Sequence, residues 1–222
     1  MKVEMVLIYG ASGHGKVIID IMEREGKYKI AGLLDDNPEI RGRDFCTYPV
    51  IGGFDVLNED DRDFHKLILA VGNNQSRKRL WERVKPLGYE LVNAIHPSAQ
   101  MGRDVLLGPG TVVMANVAIN PGASIGENVI INTGATVDHD CIIRDYVHIS
   151  PGAHLAGNVE VGELSHIGIG ASIVSGVRIG KQSVIGAGAV VIENLPDCVK
   201  AVGVPAKVIK ELEGTRNLSE SK

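Results

Sequence analysis

Leu107-Gly-Pro-Gly-Thr-Val112 and Ile167-Gly-Ile-Gly-Ala-Ser172 are two copies of one six-residue unit, and seventeen such units follow one another without a break from Ile95 to Pro196. The first place of every hexad, from Ile95 and Met101 through to Ile185 and Val191, is aliphatic. The fifth place is small or β-branched almost throughout, from Ala99 to Ala189, with Leu195 at the end. Gly, Asn, Asp and Pro concentrate between these anchors. A period of six is neither helical nor that of a plain strand, so each hexad must be a short strand followed by a turn. A strand this short cannot bury one large aliphatic group alone; successive coils must stack and share an interior, which predicts a parallel β-helix.

The pattern resembles the left-handed β-helix of the hexapeptide-repeat acyltransferases. That resemblance implies three hexads per triangular coil, residues 18 apart lying above one another, and between five and six coils for seventeen hexads. At about 4.8 Å per coil the prism is roughly 25 to 30 Å tall. Handedness rests on the resemblance alone, since parallel crossovers are normally right-handed.

Composition narrows the function classes. The 222 residues are 44% hydrophobic with few aromatics, enough for a core divided over two domains. A net charge of −4 without a basic block argues against nucleic acid as a partner. No apolar run reaches the length of a membrane span and no charged leader opens the chain, so a cytoplasmic protein is expected. Cys46, Cys141 and Cys198 show neither metal-ligand nor redox spacing, and no metal is expected.

Residues 1–93 read as a small doubly wound α/β domain. A buried strand over residues 3–9 runs into the tight turn Gly10-Ala-Ser-Gly-His-Gly15, and a helical pattern follows through Val17, Ile18, Ile21 and Met22. A second strand, Ile30–Leu34, ends in Asp35-Asp36-Asn37-Pro38. A third, Leu67–Val71, ends in Gly72-Asn73-Asn74, with a helix from about Gln75 to Val84 and a strand near Tyr89 to Val92. Ligands of such sheets bind outside the carboxyl ends of the strands, where these three turns meet. The glycine turn is G-x-x-G-x-G rather than the dinucleotide fingerprint, and by itself it also serves as a plain strand-to-helix turn. Its free N–H groups suit a phosphate, and Asp35 lies where carboxylates take ribose or base donors. The combination fits a nucleotide or nucleotide sugar better than a redox cofactor.

On the outside of the prism, residues 94–198, the hexad Val137-Asp-His-Asp-Cys-Ile142 places His139 outward between two carboxylates. Asp138 or Asp140 is suited to hold the imidazole in one tautomer and favour its charged form. His148, His154 and His166 all occupy sixth places, and His148 and His166, 18 apart, are expected to stack. His139 and His148 are nine residues apart, half a coil, so one subunit must hold them on different sides. A reaction that uses both requires a neighbouring subunit, which predicts a homotrimer with sites between prisms. Residues 199–222 are the remaining cap and tail. Gly203–Leu212 is expected to form a short closing helix over the open strand edge, followed by a polar, frayed end.

In these residues the chain resembles the bacterial nucleotide-sugar N-acetyltransferases that modify 4-amino-4,6-dideoxy sugars. It is similar both to the UDP-4-amino-sugar enzymes of bacillosamine synthesis and to the GDP-perosamine N-acetyltransferases; the sialic acid O-acetyltransferases share the plan. The motifs that carry the resemblance are Gly10–Gly15, Leu34-Asp35-Asp36, Gly72-Asn73-Asn74, Asn93-Ala-Ile-His-Pro97, Asn132-Thr-Gly134, Val137–Asp140 and Gly203-Val-Pro-Ala-Lys207. The resemblance implies acetyl-CoA as co-substrate and His139 as the general base that collects the amine proton, with Asp140 supporting its basicity. It implies that His148 meets the thioester carbonyl with a Gly157 backbone donor nearby, and that Ile169 and Ala187 line the cofactor cleft. It assigns Ser12, Gly13, His14, Asp35, Asp36 and Gly72 to the nucleotide sugar and Asn132 to the sugar's vicinity. Lys207 is read either as approaching a CoA phosphate or as solvated. Two alternatives are O-acetylation of sialic acid and a non-catalytic β-helix that scaffolds or binds sugar.

Overall fold

The computed structural model describes residues 4–58 and 65–213; the end read above as frayed, 214–222, lies outside them. Strands β1 (Glu4–Tyr9), β2 (Tyr28–Leu34), β3 (Asp44–Phe45), β4 (Tyr48–Gly52), β5 (Lys66–Leu69) and β6 (Glu90–Leu91) form one sheet in the order β3-β4-β2-β1-β5-β6. Every pairing is parallel except β3 with β4. Helix α1 (Gly13–Glu25) connects β1 to β2, and α2 (Asn74–Val84) connects β5 to β6. The apolar runs of β1 and β5 are buried on both sides because the helices cover opposite faces. Val6 and Ile8 pack with Ile18, Ile21 and Met22 of α1, while Leu7 and Tyr9 pack with Leu80, Trp81 and Val84 of α2. The β3–β4 ribbon has no counterpart in the sequence expectations, because Pro49 interrupts the strand pattern of residues 48–52. The ribbon lies at the sheet edge, where proline is tolerated.

Seventeen two-residue strands, β7 (Ala94–Ile95) to β23 (Val190–Val191), then recur every six residues and sort into three faces. The second residue of each strand is the first place of its hexad. Val113, Ile131, Ile149, Ile167 and Ile185 pair in register one coil above another and belong to one buried core. Burying each such side chain stabilises the stack by about 1.5–3 kcal/mol. The fourth place of the hexads is where the chain turns the corner: Asp104, Asn116, Asp140 and Asn158 there have φ near 60°, and so do Gly134 and Gly170. This left-handed conformation is mild for Gly, Asn and Asp, which explains their concentration between the anchors. Tyr146, Leu164 and Gln182 occupy the same place with φ of 57°, 63° and 55° and are the exceptions.

We call the face carrying Ala94, Val112, Ile130, His148, His166 and Val184 the first, that carrying Gln100 to Val190 the second, and that carrying Leu106 to Arg178 the third. The first face lies against the α/β domain. Ala94, Val112, Met114 and Ile130 share a buried cluster with Ile18, Ile21 and Met22 of α1.

The expected closing helix is not formed. Strand β24 (Val199–Val202) extends the first face, and after Gly203 (φ 100°) the chain folds back as β25 (Lys207–Glu211), antiparallel to β24. The open edge of β24 presents unpaired backbone groups, and pairing Val199 with Glu211 and Val202 with Lys207 satisfies them directly. A helix over the same residues would have covered the edge without bonding to it.

Candidate active site

His139 stands at the corner between the second and third faces. Its Nδ1 is 2.9 Å from Asp140 Oδ2, so this nitrogen donates and Nε2 is left as the basic site. Asp138 Oδ1 accepts the His139 backbone N–H at 2.7 Å and the Asn120 amide at 2.6 Å, which pins the turn that carries the imidazole. The hydrogen bond to Asp140 raises the His139 pKa above its ordinary value, with the negative charges of Asp138 and Asp140 acting in the same direction. Asp140 occupies the left-handed fourth place (φ 59°), so one residue type answers both the turn and the imidazole. The ring lies under Gly157, one coil above: a Cβ added there would strike His139 Nε2 and Cε1. The Gly157 carbonyl accepts from Ser175 Oγ at 2.6 Å and from Gly176 N at 3.0 Å, which fixes the peptide over the ring.

A second group of residues gathers at the first face, beneath the turns of the α/β domain. His148 and His166 lie one coil above the other, as their spacing of 18 requires, with ring centroids 4.9 Å apart in an edge-to-face contact. Asn132 Oδ1 accepts the Thr133 N–H at 2.8 Å, so its Nδ2 faces His148 Nε2 at 3.2 Å and donates to it. His148 Nε2 is therefore an acceptor and its proton sits on Nδ1, while the nearby Gly72 backbone weakly favours the charged ring. Burial, then the neighbouring His166, Arg77 and His14, push the His148 pKa down to about 3. His14 is pushed down to about 4 by burial and then by Arg77, and its Nε2 is buried without a hydrogen-bond partner among the described residues. His14, Gly72, Asn132 and His148 thus form one neutral cluster within a single protomer.

The carboxyl ends of β1, β2 and β5 open into a cavity of about 320 Å³ that reaches Gly10, Asp35 and Asp36. Gly10 adopts φ 122° against the Ala70 carbonyl, and Gly15 lies directly on the Gly10 carbonyl, so the turn is close-packed. Ser12 caps α1 by position, but its side chain makes no cap hydrogen bond. Both acidic residues have internal duties. Asp35 accepts from Ala11 N at 2.8 Å and Asn37 N at 2.9 Å, while Asp36 Oδ1 accepts from Tyr9 OH at 2.8 Å and Phe54 N at 3.1 Å. Asp36 Oδ2 has no hydrogen-bond partner among the described residues. Sequence reasoning missed the opposite wall: Ser76, Arg79 and Arg83 of α2, with Arg83 lying 4.0 Å over the Phe54 ring. Their spacing of three and four residues places them on one helical face, a signal present in the sequence.

Ile169 and Ala187 stack at a third location, the corner between the first and second faces, where Ile169 is 61% exposed. One protomer therefore brings together His139, Asp140 and Gly157; separately His14, Gly72, Asn132 and His148; and separately Ile169 and Ala187. The first face lies across the prism from the corner that carries His139. Lys207 pairs with Glu193 at 2.6 Å. Among the described residues no helix is long and apolar enough to cross a membrane, and no cluster of His, Cys, Asp and Glu suits a metal.

Comparison with known proteins finds matches in both parts of the chain. Residues 5–84 match the PglD N-terminal domain, and residues 104–139 and 122–157 match the bacterial transferase hexapeptide repeat. The chain is 40% identical over 114 residues to UDP-N-acetylbacillosamine N-acetyltransferase of Bacillus subtilis (strain 168); that match spans 50% of this chain and 51% of the relative, about half of each. PerB from Caulobacter crescentus, solved with CoA and GDP-perosamine, is 42% identical, with a TM-score of 0.88 over 94% of this chain and 98% of its own. The acetyltransferase domain of PglB from Neisseria gonorrhoeae FA1090, solved with acetyl coenzyme A, is 38% identical, with a TM-score of 0.86 over 93% and 99%. An α/β domain with a cavity at its strand ends, joined to a left-handed β-helix of this register and matched at these identities along nearly its whole length, places the chain in the hexapeptide-repeat family of nucleotide-sugar N-acetyltransferases.

Proposed function

We propose that the protein transfers the acetyl group of acetyl-CoA to the 4-amino group of a nucleotide-linked 4-amino-4,6-dideoxy sugar. The observation that carries this reading is the His139–Asp140 pair: an imidazole with one nitrogen committed to a carboxylate and the other free beside Gly157. The sugar amine attacks the thioester carbonyl, the new N–C bond forms and the C–S bond breaks. His139 Nε2 takes the proton released by the attacking nitrogen and returns it to the departing CoA thiolate. The Gly157 N–H, which has no partner among the described residues, is the donor best placed to stabilise the oxyanion. For His148 to serve that oxygen its proton must first move from Nδ1 to Nε2. Direct attack needs no acetyl-enzyme, and among the described residues no Cys or Ser pairs with His139.

The assembly we propose is a cytoplasmic homotrimer. Acceptor-binding turns lie at the first face and His139 lies across the prism, so a sugar held by one protomer meets the base of its neighbour. Ile169 and Ala187, at yet another corner, would line the cofactor cleft from the side of the adjoining prism. A side chain exposure of 53% at His139 supports a site that a second subunit completes.

The test is thiol release from acetyl-CoA with GDP-, UDP- and dTDP-linked 4-amino sugars, and the mass of each product. One nucleotide sugar is expected to release thiol stoichiometrically and gain one base-stable acetyl group. Release that does not depend on the sugar, or an acetyl group lost in mild base, would overturn the N-acetyl reading.

The pH profile follows from the raised pKa of His139. The base works only when neutral, so kcat/KM is expected to fall as pH drops through a pKa above 6.5. Asp140→Asn removes the charge that favours the imidazolium, and the acid limb is expected to move to lower pH. A limb that stays in place in Asp140→Asn excludes His139 as its source. Loss of fold is separable: His14 and His148 have depressed folded pKa values, so their contribution is full above about 6.5 and declines only as pH falls below it.

A further inference from the structure

Arg77 is fully buried, and all five of its guanidinium N–H donors end on uncharged oxygens. Nη1 donates to the Val71 and Gly72 carbonyls at 2.8 and 3.2 Å, in the turn that follows β5. Nε donates to the Asn128 carbonyl at 2.9 Å, and Nη2 donates to the Tyr146 carbonyl at 3.1 Å and Asn74 Oδ1 at 3.0 Å. Asn74 Nδ2 in turn donates to the Leu164 and Ser165 carbonyls, both at 3.0 Å. Asn128, Tyr146 and Leu164 are 18 apart, the left-handed corners of three successive coils, with φ of 53°, 57° and 63°. Tyr146 and Leu164, two of the three residues other than Gly, Asn and Asp that adopt this conformation in the hexads, thus have their carbonyls bonded from α2.

Burying a cation with no carboxylate beside it is costly, and a packed apolar side chain would join the domains without that cost. What the guanidinium adds is geometry, because one rigid planar group fixes the Gly72 turn against two coils at once. The same Gly72 backbone lies beside His148, and His148 accepts from Asn132 at 3.2 Å. We propose that Arg77 is the positioning residue of the acceptor site, tying the Gly72 turn to the β-helix so that the sugar of the nucleotide-linked acceptor is presented over His148 and Asn132. The proposal rests on the acetyltransferase reading for its substrate, not for its geometry. Its charge also disfavours protonation of the imidazoles that face it, His14 from α1, His148 and His166 from the prism.

The experiment compares Arg77→Lys and Arg77→Met with the intact protein by steady-state kinetics, calorimetric binding of GDP and UDP, and NMR titration of the histidine rings. Lysine keeps the charge and cannot span the five acceptors. Arg77→Lys is expected to raise the KM for the acceptor about tenfold or more, with the KM for acetyl-CoA nearly unchanged. In Arg77→Met the His148 ring is expected to titrate at higher pH than in the intact protein, and less so in Arg77→Lys. Unchanged acceptor KM together with a lowered Tm would reduce Arg77 to a structural clasp and overturn the proposal. Should Arg77→Met fail to fold, Arg77→Lys decides by the split between the two KM values. If the intact protein transfers no acetyl group, the acetyltransferase reading fails, whereas the histidine titrations and the nucleotide affinities still decide the role of Arg77.

Discussion

His139→Ala is expected to lose on the order of 10² to 10⁴ in kcat/KM, the range contributed by a positioned general base. The loss should fall on kcat with the KM for acetyl-CoA little changed, because Nε2 is needed when the proton leaves the attacking nitrogen rather than when the thioester binds. Stability should hardly change. The ring is half exposed, and its backbone N–H, bonded to Asp138, is kept by alanine. Activity should not vanish, since an amine that reaches the site neutral is already a nucleophile and water can take the proton less efficiently. His139→Asn is a sharper variant, because it can keep a hydrogen bond to Asp140 while removing the base. Steady-state rates across pH decide the matter: both variants should lose the acid limb described above. If His139→Asn retained the parent kcat/KM at every pH, another group would be the base and the direct-attack scheme would need a different proton acceptor.

The β-helix was legible in the sequence because its constraint is one-dimensional. An aliphatic residue every sixth place fixes the interior, and a spacing of 18 fixes which residues stack, so the contact of His148 with His166 follows by counting. The same arithmetic separates His148 from His139. What counting could not reveal is how a polar side chain spends its hydrogen bonds. Asp35 and Asp36 read as ligands of a nucleotide, yet most of their acceptors are taken by Ala11, Asn37, Tyr9 and Phe54. The resemblance sets His148 at the thioester carbonyl, and only the hydrogen bonds show that the orientation of Asn132, itself set by a neighbouring N–H, makes its Nε2 an acceptor. Arg77 stands in a stretch rich in charge at the start of α2, yet it shares the buried face of that helix with residues 80, 81 and 84, and nothing in the spacing alone tells that a charge is buried there. The C-terminal hairpin was missed for a related reason. Residues 207–211 carry no decisive period, and the unpaired edge of β24 determines their conformation.

Gly157→Ala is expected to cost about a hundredfold in kcat/KM, the penalty of moving a catalytic group by roughly an ångström. The glycine is not there for the backbone: its φ is not in the left-handed region, so alanine fits the chain without strain. The obstacle is the imidazole one coil below, since the new methyl would overlap Nε2 and Cε1 of His139 and lie 3.0 Å from Cδ2. The peptide over the ring cannot yield easily, being held through its carbonyl by Ser175 and Gly176. His139 must therefore swing outward, which breaks its bond to Asp140 and moves Nε2 off the line of attack. Because alanine keeps the Gly157 N–H, oxyanion stabilisation should survive, and the loss reports on the base. A double-mutant cycle distinguishes this cause from a blocked cofactor. With His139 already replaced by alanine the methyl has nothing to strike, so adding Gly157→Ala should cost at most a few-fold more. Strict additivity of the two losses would mean that the methyl acts on the thioester instead. A Gly157→Ala enzyme as fast as the parent would mean that the ring already works from another position.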